Sequence, residues 1–201
     1  MNYKEYQNAR DAAWRLLIDL GIRELPIRTG EICKALGIRL KLYTPNDGSD
    51  GMSAMAGVVP IIMVSREVPP ARQRFTAAHE LGHILLGHVG RYELVNREPS
   101  PQDNPIEQAA NVFASRLLAP ACVLWGCNAR TPEQIVSLCD ISLQAAQFRA
   151  ERMAMLYQRD KFLTSPLERE VYRQFADYIA AHKLDVVGGV GEQINESNEG
   201  L

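Results

Sequence analysis

The sequence has no long apolar run, no export signal and no paired-cysteine motif, and each absence removes a class of protein. No apolar stretch approaches the roughly 18 residues that a membrane span needs, so no span is expected. Met1-Asn2-Tyr3-Lys4-Glu5-Tyr6 lacks the basic-then-apolar shape of a secretory signal. The four cysteines, Cys33, Cys122, Cys127 and Cys139, form no CxxC and no disulfide framework. The expectation is reduced thiols in the cytoplasm, most of them small core residues. Cys122 and Cys127 stand farther apart than a usual zinc pair, with a Trp-Gly bend between them. The formal net charge of −2 argues against a broad electrostatic surface for nucleic acid. No internal repeat is visible. What remains is a globular composition over 201 residues, enough for one sizeable core or a core plus a small appendage.

The chemistry concentrates in one stretch, from Phe75 to His88, which contains His79-Glu80-Leu81-Gly82-His83. On a helix His79 and His83 lie one turn apart, about 40° around the axis, so both imidazoles leave one face. Such a pair can bite one zinc ion. Glu80 sits about 100° around from His79, within reach of a metal-bound water. Leu81, Ile84 and Leu85 mark the apolar face, and Ala77 and Ala78 are small, so the helix can be buried with its metal edge on a cleft.

Around this stretch the pattern is mixed helix and strand. Residues 3–20 read as an amphipathic helix with Gly21 as its stop, and a short helix over 29–36 takes Thr29 as its cap. Residues 38–43 alternate apolar and basic, which predicts a strand with one wet face. Strands over 52–57 and 61–65 join at Val58-Val59-Pro60, with Pro60 in the turn or on an edge. A helix runs from Ala71 to about Leu86. Continuing its period puts His88 about 180° from His79, pointing away from a metal, unless the helix ends early. Arg91 to Asn104 is a polar surface loop, and Glu107 to Leu118 is a helix that ends at Pro120. Thr131-Pro132-Glu133-Gln134 caps a short helix, Ser142 caps another reaching about Arg159, and Ser165-Pro166 opens a last amphipathic one. The tail from Val186 reads as disordered.

Two histidines leave tetrahedral zinc short of a third protein ligand. His88, Glu93, Glu98, Asp103, Glu107 and the cysteines are the downstream candidates. Glu107 is the best placed, on a helix with Asn111 one turn on to brace a ligating side chain. Yet in Asn104-Pro105-Ile106-Glu107 it also occupies the position from which a capping-box Glu reaches back to the helix start. Spacing alone leaves ligand and cap equally open.

Two blocks carry a family resemblance. Arg72-Gln73-Arg74-Phe75-Thr76-Ala77-Ala78-His79-Glu80-Leu81-Gly82-His83, and then Glu107-Gln108-Ala109-Ala110-Asn111-Val112-Phe113-Ala114-Ser115-Arg116-Leu117-Leu118-Ala119-Pro120, resemble the ImmA/IrrE family of metallopeptidases. That family's pattern is RFTxAHELGH followed by ExxANxFAxxLLxP. The likeness covers about residues 25–120 and continues more loosely through 131–153. Ala119 departs from it, because the family often has Met before the Pro. The resemblance implies His79, His83 and Glu107 as zinc ligands and Glu80 as catalytic base. It implies an α+β, zincin-like core with a small three-stranded sheet packed on helices. The expected organisation is a peptidase domain over 1–120, a helical segment similar to a helix-turn-helix over 121–160, and a helix with a tail over 161–201.

The implied activity is zinc-dependent cleavage of a partner regulator, in particular a phage-type helix-turn-helix repressor. Tyr92, His88 and Arg72 are candidates for stabilising the tetrahedral intermediate, and the strand pair over 52–65 offers an edge for an extended peptide. The other reading is a non-proteolytic zinc protein that binds DNA or a repressor through 131–153. There Arg149 and Arg152 come late in the would-be recognition helix. The acidic balance favours a helical hairpin that packs on the core or docks the substrate.

Overall fold

The computed structural model describes residues 1–89 and 104–185. The expected loop from Arg91 to Asp103, with Tyr92, Glu93, Glu98 and Asp103 on it, and the tail from Val186 lie outside the described residues. The fold is α+β, with a small mixed sheet set among helices.

Helix α1 (Tyr3–Asp19) starts at Asn2, whose side chain accepts from the Glu5 backbone while Glu5 reaches back to Asn2, a full capping box. Its apolar stripe, Ala9, Ala13, Leu16 and Leu17, is buried. In α2 (Thr29–Ala35) Thr29 is the first helical residue and is buried; Arg28 holds the cap position without a side-chain bond. The sheet joins β1 (Arg39–Tyr43), β2 (Gly51–Ala56) and β3 (Val59–Ser65) in the order β1-β3-β2. β1 runs parallel to β3, and β2 antiparallel to it. Pro60 is in β3, opposite Met55, not in the turn. β1 pairs only from Ile61 onward, so the missing N–H of Pro60 interrupts no ladder with that neighbour.

The wet and dry faces of β1 do not separate as alternation predicts. Leu40 and Leu42 pair with Ile62 and Val64, which are fully buried, yet are themselves 36% and 54% exposed. Helix α3 (Pro70–Leu85) packs over β2 and β3, and β1 lies at the sheet edge beyond it.

Two helices make the central crossing. Helix α3 meets α4 (Pro105–Leu118) at Gly82, where a Cβ would stand 3.0 Å from the Phe113 ring and 3.3 Å from the Ala110 Cα. Only a residue without a side chain lets the axes come this close. Buried Ala78, Leu81, Ala110, Phe113 and Leu117 fill the rest of the seam, and α1 covers the far side of α4.

Beyond α4, a short helix that the sequence pattern did not announce, α5 (Ala121–Gly126), turns the chain at Pro120. The stretch Pro105–Gly126 is apolar and long enough by composition to cross a membrane, but Pro120 breaks it and 67% of its most apolar window is buried inside this fold. Helices α6 (Pro132–Cys139) and α7 (Leu143–Gln158) form a hairpin, with Asp140 in the left-handed region at the bend. The last helix is two: α8 (Pro166–Gln174) and α9 (Ala176–Ala181), offset at Phe175. The hydrophobic core runs continuously from Leu17 and Ile62 through Phe113 and Leu124 to Ile135, Met153 and Phe175. All four cysteines are free and buried.

Candidate metal centre

The Gly82 crossing sets one edge of α3 against the first turns of α4. From α3 come His79 and His83, one turn apart; from α4 comes Glu107, with Asn111 one turn on. The two Nε2 atoms are 3.0 Å apart. Glu107 Oε2 is 3.1 Å from His79 Nε2, and its Oε1 is 3.3 Å from His83 Nε2. Among the described residues, these three offer ligand atoms that all lie within 4.8 Å of one another. Two imidazole nitrogens and a carboxylate are a donor set that suits zinc and leaves a fourth position for water, so the residues present fit a metal ion. The two histidines draw the Glu107 carboxyl well below the usual carboxylate range, outweighing the opposite pull of burial.

The cap-or-ligand ambiguity at Glu107 resolves in the geometry. The Asn104 side chain caps the helix, accepting from the Ile106 N–H at 3.0 Å. The Glu107 carboxylate turns instead to the two histidines. Asn111 Oδ1 lies 2.9 Å from His79 Nδ1, which fixes that ring with Nε2 turned to the cluster.

Glu80 is almost fully buried, and one carboxylate oxygen accepts from Ser53 Oγ at 2.7 Å. Sequence reasoning missed Ser53. Its only signal was a hydroxyl on β2 opposite Ile62, where a core-facing position calls for an apolar side chain.

His88 does not point away. Helix α3 stops at Leu85, Gly87 takes φ +72°, and the His88 N–H bonds back to the His83 carbonyl at 2.9 Å while the Gly87 N–H bonds to Ile84. This Schellman turn reverses the chain. His88 Nδ1 thereby comes to 3.1 Å from His83 Nδ1, on the side of the ring opposite the cluster. Burial, with His83 adding to it, holds the His88 imidazole down at about 4, so it is neutral and free to accept from the His83 N–H. Of the other expected partners, those among the described residues lie elsewhere. Arg72 is tied to Asp50 at 2.6 Å. Cys122 and Cys127, at the two ends of α5, join no group of metal-ligand residues among those described.

A buried helix carrying two histidines, crossed by a second helix that supplies a carboxylate beside a small sheet, is the arrangement of a zincin-like metallopeptidase. The sequence comparisons agree. Residues 33–151 match the family described as IrrE N-terminal-like domain, and the chain belongs to the ImmA/IrrE family of metallopeptidases. One relative is the "Radiation response metalloprotease IrrE" of Deinococcus deserti, 33% identical over 106 residues. That match covers 47% of this chain and 37% of the relative, so this chain corresponds to well under half of that protein.

Proposed function

We propose that this protein is a zinc-dependent endopeptidase that cleaves a partner regulator, a phage-type helix-turn-helix repressor, in the cytoplasm and so relieves repression. The observation that carries the reading is the convergence of His79, His83 and Glu107 beside a buried Glu80 that Ser53 orients. The four unpaired thiols fit a reducing compartment.

His79, His83 and Glu107 would hold the metal. When bound, zinc supplies Lewis acidity, which acidifies a water and polarises a peptide carbonyl. Glu80 takes the proton from the attacking water on a carboxylate oxygen and returns it to the leaving amine. Ser53 keeps the other half of that carboxylate fixed, so the proton moves at one oxygen. Asn111 and His88 orient the two imidazoles from behind.

β2 is the sheet edge that carries Ser53, and Ala54, Met55 and Ala56 on it are exposed. An extended substrate segment adds to this edge as a further strand and passes Glu80. Adjacent strand residues point their N–H groups to opposite edges, so one of Ala54→Pro and Met55→Pro removes an outward donor and slows cleavage.

The alternative, a non-proteolytic metal protein that grips DNA through 131–153, loses support at α7. Arg149 is only 4% exposed, and Arg152 turns to Tyr6. Neither guanidinium is presented for phosphate contact on the outside of the hairpin.

The test is co-incubation of the zinc-loaded protein with the purified helix-turn-helix repressor encoded beside it. Cleavage by the wild type, and none by a Glu80→Gln variant that retains its zinc, supports the reading. Cleavage that survives Glu80→Gln, or an intact repressor with fully metallated wild type, refutes it.

A further inference from the structure

Beside the metal cluster, between α3, α4 and the α6–α7 hairpin, lies a cavity of about 250 Å³. It continues the groove that carries the cluster. Phe75 lines it from α3, one turn before His79, and its ring centroid is 6.4 Å from that of the His79 imidazole. Ser115 lines it from α4, one turn after Asn111, the residue that fixes His79. The hairpin closes the far side with Ile141, Ala145 and Phe148. Phe148 is 64% exposed, so an aromatic ring stands at the open mouth.

The walls are mostly apolar, and the polar groups near them are turned to other parts of the protein. Leu118, Ala119 and Ile141 are buried and line the cavity. Ser115 Oγ donates to the Val112 carbonyl at 3.1 Å and accepts from Arg116 at 2.9 Å. Arg116 and Arg152 donate to the Tyr6 hydroxyl, at 3.2 and 3.5 Å, and lie over its ring. The Arg149 nitrogens have essentially no accessible surface, so that residue offers the cavity its carbon stem. No carboxylate stands among the described lining residues. A charged occupant would lose its water against such walls, whereas an apolar one gains by leaving water. Size points the same way. An engineered cavity of roughly 150 Å³ with aliphatic and aromatic walls takes up benzene, so this larger one has room for a phenyl ring or a leucine side chain.

We propose that this cavity is the specificity pocket of the peptidase: it receives a large apolar side chain, leucine to phenylalanine in size, from the substrate residue next to the scissile bond. This rests on the peptidase reading above, and it adds the class of residue that the substrate must present. The spacing fits, because one helical turn is about 5.4 Å, a distance that a side chain leaving the backbone beside the metal can span. Ile141, Ala145 and Phe148 give the helical hairpin a part in choosing the substrate.

Calorimetry on the full-length, zinc-loaded protein tests this with two probes, acetohydroxamate and 3-phenylpropanohydroxamate. Both chelate zinc through the same group, and only the second carries a ring to the cavity. The ring is expected to tighten Kd at least about tenfold. Ala145→Phe fills the cavity from α7 and is expected to abolish that gain while acetohydroxamate binds as before. Phe148→Ala, at an exposed position, lowers the gain about two- to tenfold through loss of the aromatic contact, and it keeps the test decisive if Ala145→Phe folds poorly. In the cleaved repressor, Leu, Met or Phe is expected on one side of the scissile bond, and changing it to Ala lowers kcat/KM at least about tenfold. A ring that adds less than about threefold, a gain that survives both variants, or a cleavage site with no large apolar residue on either side overturns the pocket. Failure of the peptidase reading looks different. If neither hydroxamate binds, the metal site is wrong and the pocket falls with it. If the repressor stays intact while a ring-dependent gain is seen and Ala145→Phe removes it, the repressor reading falls and the apolar pocket beside the metal is supported.

Discussion

His88 Nδ1 stands 3.1 Å from His83 Nδ1, on the face of the imidazole turned away from the metal-ligand cluster. The Schellman turn at Gly87 puts it there, and that contact fixes which His83 nitrogen faces the cluster. Such outer partners are worth about 10–100-fold in metal affinity. His88→Ala is therefore expected to weaken zinc binding by about that factor, read by competition with a chelator, with little change in helix content. Unchanged affinity removes His88 from the site.

Gly82 is the contact point of α3 and α4. Gly82→Ala adds a methyl group where Phe113 and the Ala110 backbone already touch, and the cost of overpacking is about 1–3 kcal/mol. The helices that carry the two histidines and Glu107 are pushed apart in the same step. Denaturant unfolding and metal titration together are expected to show both losses. A variant as stable as the wild type contradicts the close crossing.

Ser53 holds the Glu80 carboxylate at 2.7 Å. Ser53→Ala removes a hydrogen bond to a charged group, worth roughly 1.5–3 kcal/mol, so about a tenfold or greater fall in kcat is expected with zinc content intact. A rise in KM with kcat unchanged would place Ser53 in substrate binding instead.

The thiols are expected to be inert in the native state. Burial pushes Cys139 up to about 12, a rise that Arg149 only partly opposes. Cys33 and Cys127 are both raised to about 11 by burial. Thiolates are the reactive form, so a colourimetric thiol reagent at pH 8 reads almost nothing until denaturant is added, and then reads all four cysteines. Rapid reaction of the folded protein would mean that this part of the core opens readily.

The sequence makes the His-Glu-x-x-His helix legible because the spacing of its histidines matches the helical turn. Glu107 stays ambiguous there, since a capping glutamate and a ligating one occupy the same position; only the direction of its carboxylate separates them. His88 misleads because the helical period runs on through Gly87, although that glycine is itself the stop signal. Ser53 is hidden because a lone serine in a short strand looks like any surface hydroxyl, and its meaning depends on α3 packing over β2. Arg149 is the strongest case of this kind. Helical periodicity treats a charged residue as solvent-facing, and here tertiary packing places it inside. The exposure of Leu40 and Leu42 has the same root, because strand alternation sets which side chains share a face and not whether a helix covers it.

The most direct test of the central claim is the zinc content of purified wild type beside a Glu107→Gln variant, both after incubation with zinc and removal of excess. Asn104 caps α4 without help from Glu107, so the variant keeps its helix, which circular dichroism checks. About one zinc per wild-type chain and almost none in the folded variant is the predicted result. A wild type that takes up no zinc, or a variant that holds as much as the wild type, contradicts the assignment of this site.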